Sequence, residues 1–201
     1  MLFFIRFFQL LSPYLLLNIA IEKLVKIPEK LNRNLISGIH CYFNIILTTI
    51  SIFYSSNIVF SLAIFNSIGY FLYDLVYILR KGLNEYGYIV HHILSLVFLG
   101  YLLSLEIQNS FRYFILLFIG ELSNIFIYPV YHLIQTDSKN QIVEKLKWWQ
   151  ALTYTGFRLY GFPLYVLITG LEHNILVYSL MIIYLMSFMW SYKIISKIRR
   201  N

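Results

Sequence analysis

Seven hydrophobic stretches of about twenty residues, separated by short polar breaks, constrain the fold of this chain more than any other feature. Inside hydrocarbon every backbone polar group has to be satisfied internally, so only α-helices and closed β-barrels cross a bilayer. Stretches of this length are typical of transmembrane helices. The sequence therefore predicts an all-α integral membrane protein, a bundle of about seven transmembrane helices. The predicted spans are 2–21, 35–54, 58–79, 88–106, 111–134, 148–170 and 174–193.

Composition excludes several other classes of protein. Only 12% of the 201 residues are charged, and the mean hydropathy is +0.69, whereas soluble domains carry about 25% charged residues. The length leaves no room for a separate soluble domain beside the spans. The single cysteine, Cys41, excludes an intrachain disulfide and a cysteine-based metal site.

The distribution of Lys and Arg predicts the orientation in the membrane. With seven spans, 13 of the 16 basic residues fall on one side, and the cytoplasmic side is the one that such residues favour. We therefore expect a lumenal N-terminus and a cytoplasmic C-terminus. The net charge of +7 then reflects topology and does not predict a nucleic-acid partner. Lys23 and Lys26 follow the first span as a stop-transfer flank would, which favours an uncleaved anchor over a signal peptide.

Polar side chains inside these spans are the candidate functional residues. An ionisable group in hydrocarbon costs roughly 2.5–3.5 kcal/mol on insertion scales, so such a residue usually has a function or a partner. The sequence places several of them in two layers. His40, Asp74 and the pair His91-His92 lie in a band about 5–10 Å below the cytoplasmic surface. Glu121 and Arg158 lie near mid-membrane, where we expect them to form an ion pair. The alternative is an interhelical hydrogen-bond network that only fixes helix packing.

The layer near the cytoplasmic surface has the residue types of a histidine–carboxylate relay. Adjacent histidines on a helix point about 100° apart, so one of His91 and His92 can line a cavity as nucleophile or general base while the other packs. Asp74 is at the right depth to fix the imidazole tautomer. Tyr70 lies one turn before Asp74 on the same face and is expected to share this network. We expect His40, Asp74 and at least one of the two histidines to meet at one cavity open to the cytoplasmic side.

Metal and retinal chemistry are disfavoured. Membrane di-iron enzymes need about eight histidines in spaced boxes, whereas this chain has five histidines and no such box. A retinal Schiff base needs a lysine deep in a span, but the last span has only Lys193 at its end. No metal and no cofactor is therefore predicted. Two backbone bends are expected, at Pro129 in the fifth span and at 161–163 in the sixth, and Pro129 should free carbonyls that either line a cavity or are met by side chains.

With these residues in place, the chain resembles the TLC-domain family of TRAM, Lag and CLN proteins, which includes the ceramide synthases. The resemblance runs from about Arg33 to Lys193. Its motifs are Arg33…Ser37…His40, Tyr70…Tyr73-Asp74, His91-His92…Ser95, Gly120-Glu121-Leu122-Ser123-Asn124 and Arg158. It implies an N-terminal helix with its basic loop (1–30), a six-helix TLC domain (31–197) and a basic tail (198–201).

The resemblance implies two functions, and both use an intramembrane cavity lined by these polar residues. One is lipid binding in membrane lipid homeostasis, most plausibly in the endoplasmic reticulum or a related endomembrane. The other is a histidine-dependent acyltransferase with acyl-CoA as co-substrate and a lipid acceptor. In the second, His91 or His92 would accept the acyl group or act as base, Asp74 would support it, and the substrate-binding residues would be His40, Tyr70, Glu121, Asn124 and Arg158. Ceramide synthases carry a His-Asp-x-x-Asp-like segment where this chain has 120–124, so the resemblance is closer to the small TLC-domain-only proteins linked to phospholipid composition. The sequence does not fix the oligomeric state.

Overall fold

The computed structural model describes residues 13–21, 23–24, 27–83, 85–104, 107–137, 141–170 and 175–199. Within these ranges the chain is helical apart from short turns, and no strand is present, so the all-α prediction is confirmed there. In chain order the helices are α1 (13–21), α2 (Glu29–Tyr54), α3 (Asn57–Arg80), α4 (Tyr86–Ser104), α5 (Ile107–Leu122), α6 (Ile127–Thr136), α7 (Gln141–Thr155), α8 (Phe162–Thr169) and α9 (Ile175–Arg199). A π-helical turn (Gly156–Gly161) joins α7 and α8.

The described helices have the length and apolarity of membrane spans. Five stretches qualify: Glu29–Tyr54, Asn57–Arg80, Tyr86–Ser104, Phe114–Thr136 and Tyr178–Ile198. Large apolar side chains such as Phe53 and Leu167 are about four-fifths exposed, which is typical of a surface that faces lipid. The sixth predicted span falls in the continuous helical run 141–169. The first predicted span, 2–21, lies mostly outside the described residues, so a membrane bundle is supported while the count of seven stays a prediction.

The turn between α2 and α3 forms where the sequence places a polar break. Ser55 ends α2 with a φ of 48°, in the left-handed region. The Ser56 hydroxyl then accepts a hydrogen bond from the Val59 amide at 3.4 Å, which caps the first turn of α3. Two residues thus reverse the chain, so α2 and α3 lie side by side and their polar faces meet.

The fifth predicted span is broken rather than gently kinked. Helix α5 ends at Leu122, and α6 begins at Ile127, two residues before Pro129. Proline has no N–H and its ring clashes with the carbonyl four residues earlier, so it is tolerated only in a first helical turn. That carbonyl, Ile125 O, accepts a hydrogen bond from the Tyr42 hydroxyl at 2.7 Å. The predicted bend therefore occurs just before Pro129, and a side chain meets the freed carbonyl as expected.

The helices close into a ring. Each helix contacts the next in the order α2, α3, α4, α9, α7 and α6, and α6 contacts α2 again. Helix α5, the other half of the broken span, contacts α2, α4, α8 and the π-helical turn. The approach of α6 to α2 requires a small residue, because a Cβ on Gly38 would lie 3.2 Å from the Tyr128 Cβ. We call the end of the bundle where α2 and α4 begin and α3 and α9 end the mouth.

Candidate functional site

A cavity of about 1190 Å³ lies inside this ring. Along α9 its lining runs from Leu180 to Ile198, a distance of about 27 Å at 1.5 Å per residue. That length is close to the ~30 Å thickness of a bilayer's hydrocarbon core. The cavity wall includes every site residue chosen from the sequence, namely His40, Tyr70, Asp74, His91, His92, Glu121, Asn124 and Arg158.

The lining changes in chemistry from one end to the other. The mouth is lined by lysines and glutamates, among them Lys30, Lys81, Lys147, Lys193 and Lys197. Histidines, tyrosines and the buried carboxylates line the middle. The far end is apolar, with Phe98, Leu99, Leu116, Phe162 and Leu180. The cavity therefore has one charged end and one hydrocarbon-like end.

Asp74 is the centre of the first polar cluster and is only 1% exposed. Its two oxygens accept hydrogen bonds from Arg33 Nε at 2.6 Å and Arg33 Nη2 at 2.7 Å, a bidentate pair. Asp74 Oδ2 also lies 2.7 Å from His92 Nε2. A carboxylate can only accept, so in a neutral His92 the proton is on Nε2 and the lone pair on Nδ1. That Nδ1 is buried with no hydrogen-bond partner among the described residues.

Arg33 joins this cluster to the mouth. Its Nη1 donates to Glu85 Oε2 at 2.7 Å, in the turn between α3 and α4. Its guanidinium lies 5.8 Å and 5.7 Å from the ring centres of Tyr77 and Tyr88, within cation–π range. One guanidinium thus pairs with two carboxylates from neighbouring elements.

A second histidine–carboxylate pair forms on α2 and α5. His40 Nε2 lies 3.1 Å from Glu121 Oε1, and the two side chains are 1% and 6% exposed. Asn44 Nδ2 approaches the same Glu121 oxygen at 3.4 Å and donates to Ser67 Oγ at 2.8 Å. His40 makes no hydrogen bond with Asp74, although both side chains line the cavity. His40 lies seven residues along α2 from Arg33, about 10 Å farther from the mouth, where Glu121 is its partner.

The predicted ion pair between Glu121 and Arg158 is not formed, so this prediction is wrong. Arg158 lies in the π-helical turn and donates from Nε to Ser123 Oγ at 2.8 Å and from Nη2 to Gly120 O at 3.1 Å. It therefore satisfies carbonyl and hydroxyl groups at the C-terminal end of α5, where a cation is favoured by the helix dipole. Glu121 pairs with His40 instead.

The remaining predicted residues have distinct positions. Tyr70 stacks on His40 with ring centres 4.0 Å apart and donates to Ser37 Oγ at 2.8 Å, so it lies between the two clusters. His91 packs edge-to-face with Trp190 at 5.6 Å, and its Nδ1 is buried without a hydrogen-bond partner in the described part of the chain. Asn124 lines the cavity beside the break between α5 and α6.

From the sequence, Arg33 was named only as part of a family motif and given no partner, whereas the structure makes it the main partner of Asp74. The helical spacing of Arg33, Ser37, His40 and Asn44 could have revealed this role, because residues at i, i+4, i+7 and i+11 share one face. Glu85 carried no such signal, since it lies in a short turn between two spans. No group of three or more His, Cys, Asp or Glu side chains suited to a metal ion is found among the described residues.

Comparison with known proteins gives one finding. Residues 30–196 match the family model of the TLC domain, TRAM_LAG1_CLN8. The match covers α2 to α9 and both histidine–carboxylate pairs, and it leaves α1 outside. No curated protein and no solved structure matches the chain significantly.

Proposed function

This chain is a membrane protein of the TLC-domain family, and we propose that it binds a membrane lipid in the cavity between its helices and so acts in membrane lipid homeostasis. The cavity carries the proposal. It is about 1190 Å³ in volume, within a factor of about 1.2 of the upper limit of ~1,000 Å³ for typical ligand pockets. Its charged mouth suits a lipid headgroup, and its apolar far end suits an acyl chain.

Burial of the acyl chain contributes little to affinity, because the lipid leaves a bilayer that is already apolar. Affinity and selectivity therefore have to come from polar contacts. Arg33 donates hydrogen bonds to the first histidine–carboxylate pair at Asp74, and Asn44 approaches the second pair at Glu121. They give the middle of the cavity fixed donors and acceptors at the level where the ester or amide groups of a lipid would lie.

A pair of variants on α4 tests lipid binding. Ser95 lines the cavity and is 6% exposed, whereas Val97, two residues later, is 46% exposed on the outer face. Ser95→Trp places an indole in the cavity, and Val97→Trp adds the same group outside. We expect lipid that copurifies with the protein, measured by mass spectrometry, to be lost from Ser95→Trp and kept by Val97→Trp. Equal lipid content in the two variants contradicts the proposal.

A cellular measurement tests the homeostasis part. Membranes that express the native chain should differ in phospholipid composition from membranes that express the His91→Ala/His92→Ala variant at the same level. Identical phospholipid compositions in the two membranes would contradict the proposed role in membrane lipid homeostasis.

A second candidate function, a histidine-dependent acyltransferase, is favoured by the unpartnered Nδ1 of His92. Asp74 holds the proton on Nε2, so the Nδ1 lone pair is available. It would attack the thioester carbonyl of an acyl-CoA, the C–S bond would break, and the leaving thiolate would take up the proton that the imidazole loses from Nε2. A lipid amine or hydroxyl would then take the acyl group and return its own proton to the imidazole.

Labelling distinguishes the second candidate from the first. An activated acyl donor should label one imidazole in the native chain, and the label should disappear in His92→Ala while His132→Ala keeps it. Asp74→Asn keeps the shape of the side chain but removes the charge that stabilises the imidazolium, so turnover should fall while the fold is retained. Lipid binding without any label supports the first function alone.

The proposal includes an orientation. All five lysines that line the mouth belong to the side predicted to be cytoplasmic from the distribution of basic residues. The cavity would then open to the cytosol, with the N-terminus lumenal, in the endoplasmic reticulum or a related endomembrane.

A further inference from the structure

Helix α1 precedes the segment that matches the TLC domain, yet it reaches the site through two buried polar side chains. Tyr14 and Asn18 are 7% and 8% exposed. The Tyr14 hydroxyl lies 2.5 Å from Asn66 Oδ1 and 3.2 Å from His40 Nδ1. Asn18 Nδ2 donates to the Tyr73 hydroxyl at 2.8 Å. Only the first of these side chains touches the His40–Glu121 cluster.

The hydrogen bonds of this cluster have a definite direction. Glu121 can only accept, so a neutral His40 carries its proton on Nε2, and its Nδ1 has to accept. Asn66 Nδ2 lies 3.2 Å from that Nδ1 and is the donor. The Asn66 amide is then oriented with its oxygen away from His40, where it accepts from the Tyr14 hydroxyl. One hydroxyl on α1 thus completes a chain of four side chains that ends at Glu121.

We propose that Tyr14 is a positioning residue that fixes the orientation of the Asn66 amide and thereby keeps Nδ1 of His40 unprotonated. Without the hydroxyl, the oxygen of the half-buried Asn66 would lose its hydrogen-bond donor, which carries a free-energy cost. Rotation of the amide by half a turn relieves this cost by turning the oxygen toward His40. An oxygen there requires a proton on Nδ1, while Nε2 keeps the proton that it donates to Glu121, so the ring carries both protons and loses its lone pair.

A purely structural role for α1 makes a different prediction. If Tyr14 only docks the helix, loss of its hydroxyl should act like loss of the Asn18 amide, which holds the same helix through Tyr73. The two residues are four positions apart, similarly buried, and differ in whether they contact the network. Asn18→Leu is therefore the matched control for Tyr14→Phe.

The test is the ¹⁵N spectrum of His40 in protein labelled at histidine and reconstituted in lipid bilayers, with the signal assigned by its absence in His40→Gln. We expect an unprotonated Nδ1 in the native chain and in Asn18→Leu, and a protonated Nδ1 in Tyr14→Phe. A native Nδ1 signal in Tyr14→Phe, or the same change in Asn18→Leu, overturns the inference. Should Tyr14→Phe fail to fold, Asn66→Asp replaces the amide donor by a carboxylate and should also protonate Nδ1; an unchanged Nδ1 there overturns it as well.

The consequence for ligand binding rests on the proposed function and is measured separately. The copurified lipid should fall about fivefold in Tyr14→Phe, which corresponds to one net hydrogen bond of about 1 kcal/mol, and should be unchanged in Asn18→Leu. A changed His40 spectrum in a protein that binds no lipid would support Tyr14 as a positioning residue and contradict the proposed function. Lipid binding by a protein whose His40 spectrum is unchanged in Tyr14→Phe would support the proposed function and contradict the role of Tyr14 as a positioning residue.

Discussion

Replacement of Arg33 by methionine should destabilise the protein more than any other single charge removal in the first cluster. The variant leaves the Asp74 carboxylate, 1% exposed, with His92 as its remaining partner among the contacts described above. Loss of one member of a buried pair typically costs about 3–5 kcal/mol, and since the Arg33 side chain is 16% exposed we expect about 3 kcal/mol. The control is Glu85→Gln, which breaks the other ion pair of Arg33. Because the Glu85 side chain is 35% exposed, that loss should cost at most about 1 kcal/mol.

The assay is unfolding of purified protein in mixed micelles, followed by tryptophan fluorescence as the denaturing detergent is increased. The double variant Arg33→Met/Asp74→Asn removes both charges, so it should be more stable than Arg33→Met alone by at least about 1 kcal/mol. If the double variant is no more stable than Arg33→Met, or if Glu85→Gln costs as much as Arg33→Met, the account of a buried pair at Asp74 is wrong.

Three further predictions use other parts of the chain. Arg158→Met removes charged hydrogen bonds to the end of α5 and should cost about 1.5–3 kcal/mol in the same assay, whereas a cost near zero would mean that the end of α5 needs no cation. Gly82→Ala should destabilise the protein by about 1 kcal/mol, because φ at this position is +61°. Gly100→Ala, inside α4 with open space around it, should be neutral or stabilising by up to about 1 kcal/mol. A change of the same sign at both positions would contradict the explanation from backbone conformation. A glycosylation acceptor introduced at 55–57 should be modified in a eukaryotic membrane, and modification of a C-terminal acceptor instead would reverse the predicted orientation.

Much of the helical framework could be predicted from the sequence because hydrocarbon imposes one strong constraint on length and polarity. The windows around 35–54 and 58–79 agree with α2 and α3 to within a few residues on the side away from the mouth. The break before Pro129 was foreseeable because a missing N–H has one structural consequence. The start of α2 was less accurate: the window begins at 35 but the helix begins at Glu29, since a helix can continue beyond the hydrocarbon into the interface.

The pairing of polar residues was harder to predict. Sequence position gives the depth of a side chain in the bilayer but not the direction in which its helix turns it, and pairing needs both. Glu121 and Arg158 share a depth, yet Glu121 faces His40, and Arg158 faces the end of its neighbouring helix. Arg33 lies at the edge of a span, where its charge is equally well explained by orientation in the membrane.

The contribution of Tyr14 was unpredictable for a related reason. The contact of Tyr14 with Asn66 joins positions 52 residues apart. Only the packing of α1 against α2 and α3 brings the hydroxyl to His40. Long-range contacts between single side chains leave no periodic signal in one sequence.

The most direct test of the central claim, a lipid inside the ring of helices, is photocrosslinking from the cavity wall. A benzophenone amino acid placed at Phe162, which lines the cavity, should form one lipid adduct per chain that survives delipidation in detergent. The same group at Phe188, 48% exposed on α9, should form adducts with bulk lipid that delipidation removes. A probe at Phe162 that gives no adduct after delipidation, or the same lost adducts as the probe at Phe188, would contradict a lipid-binding cavity.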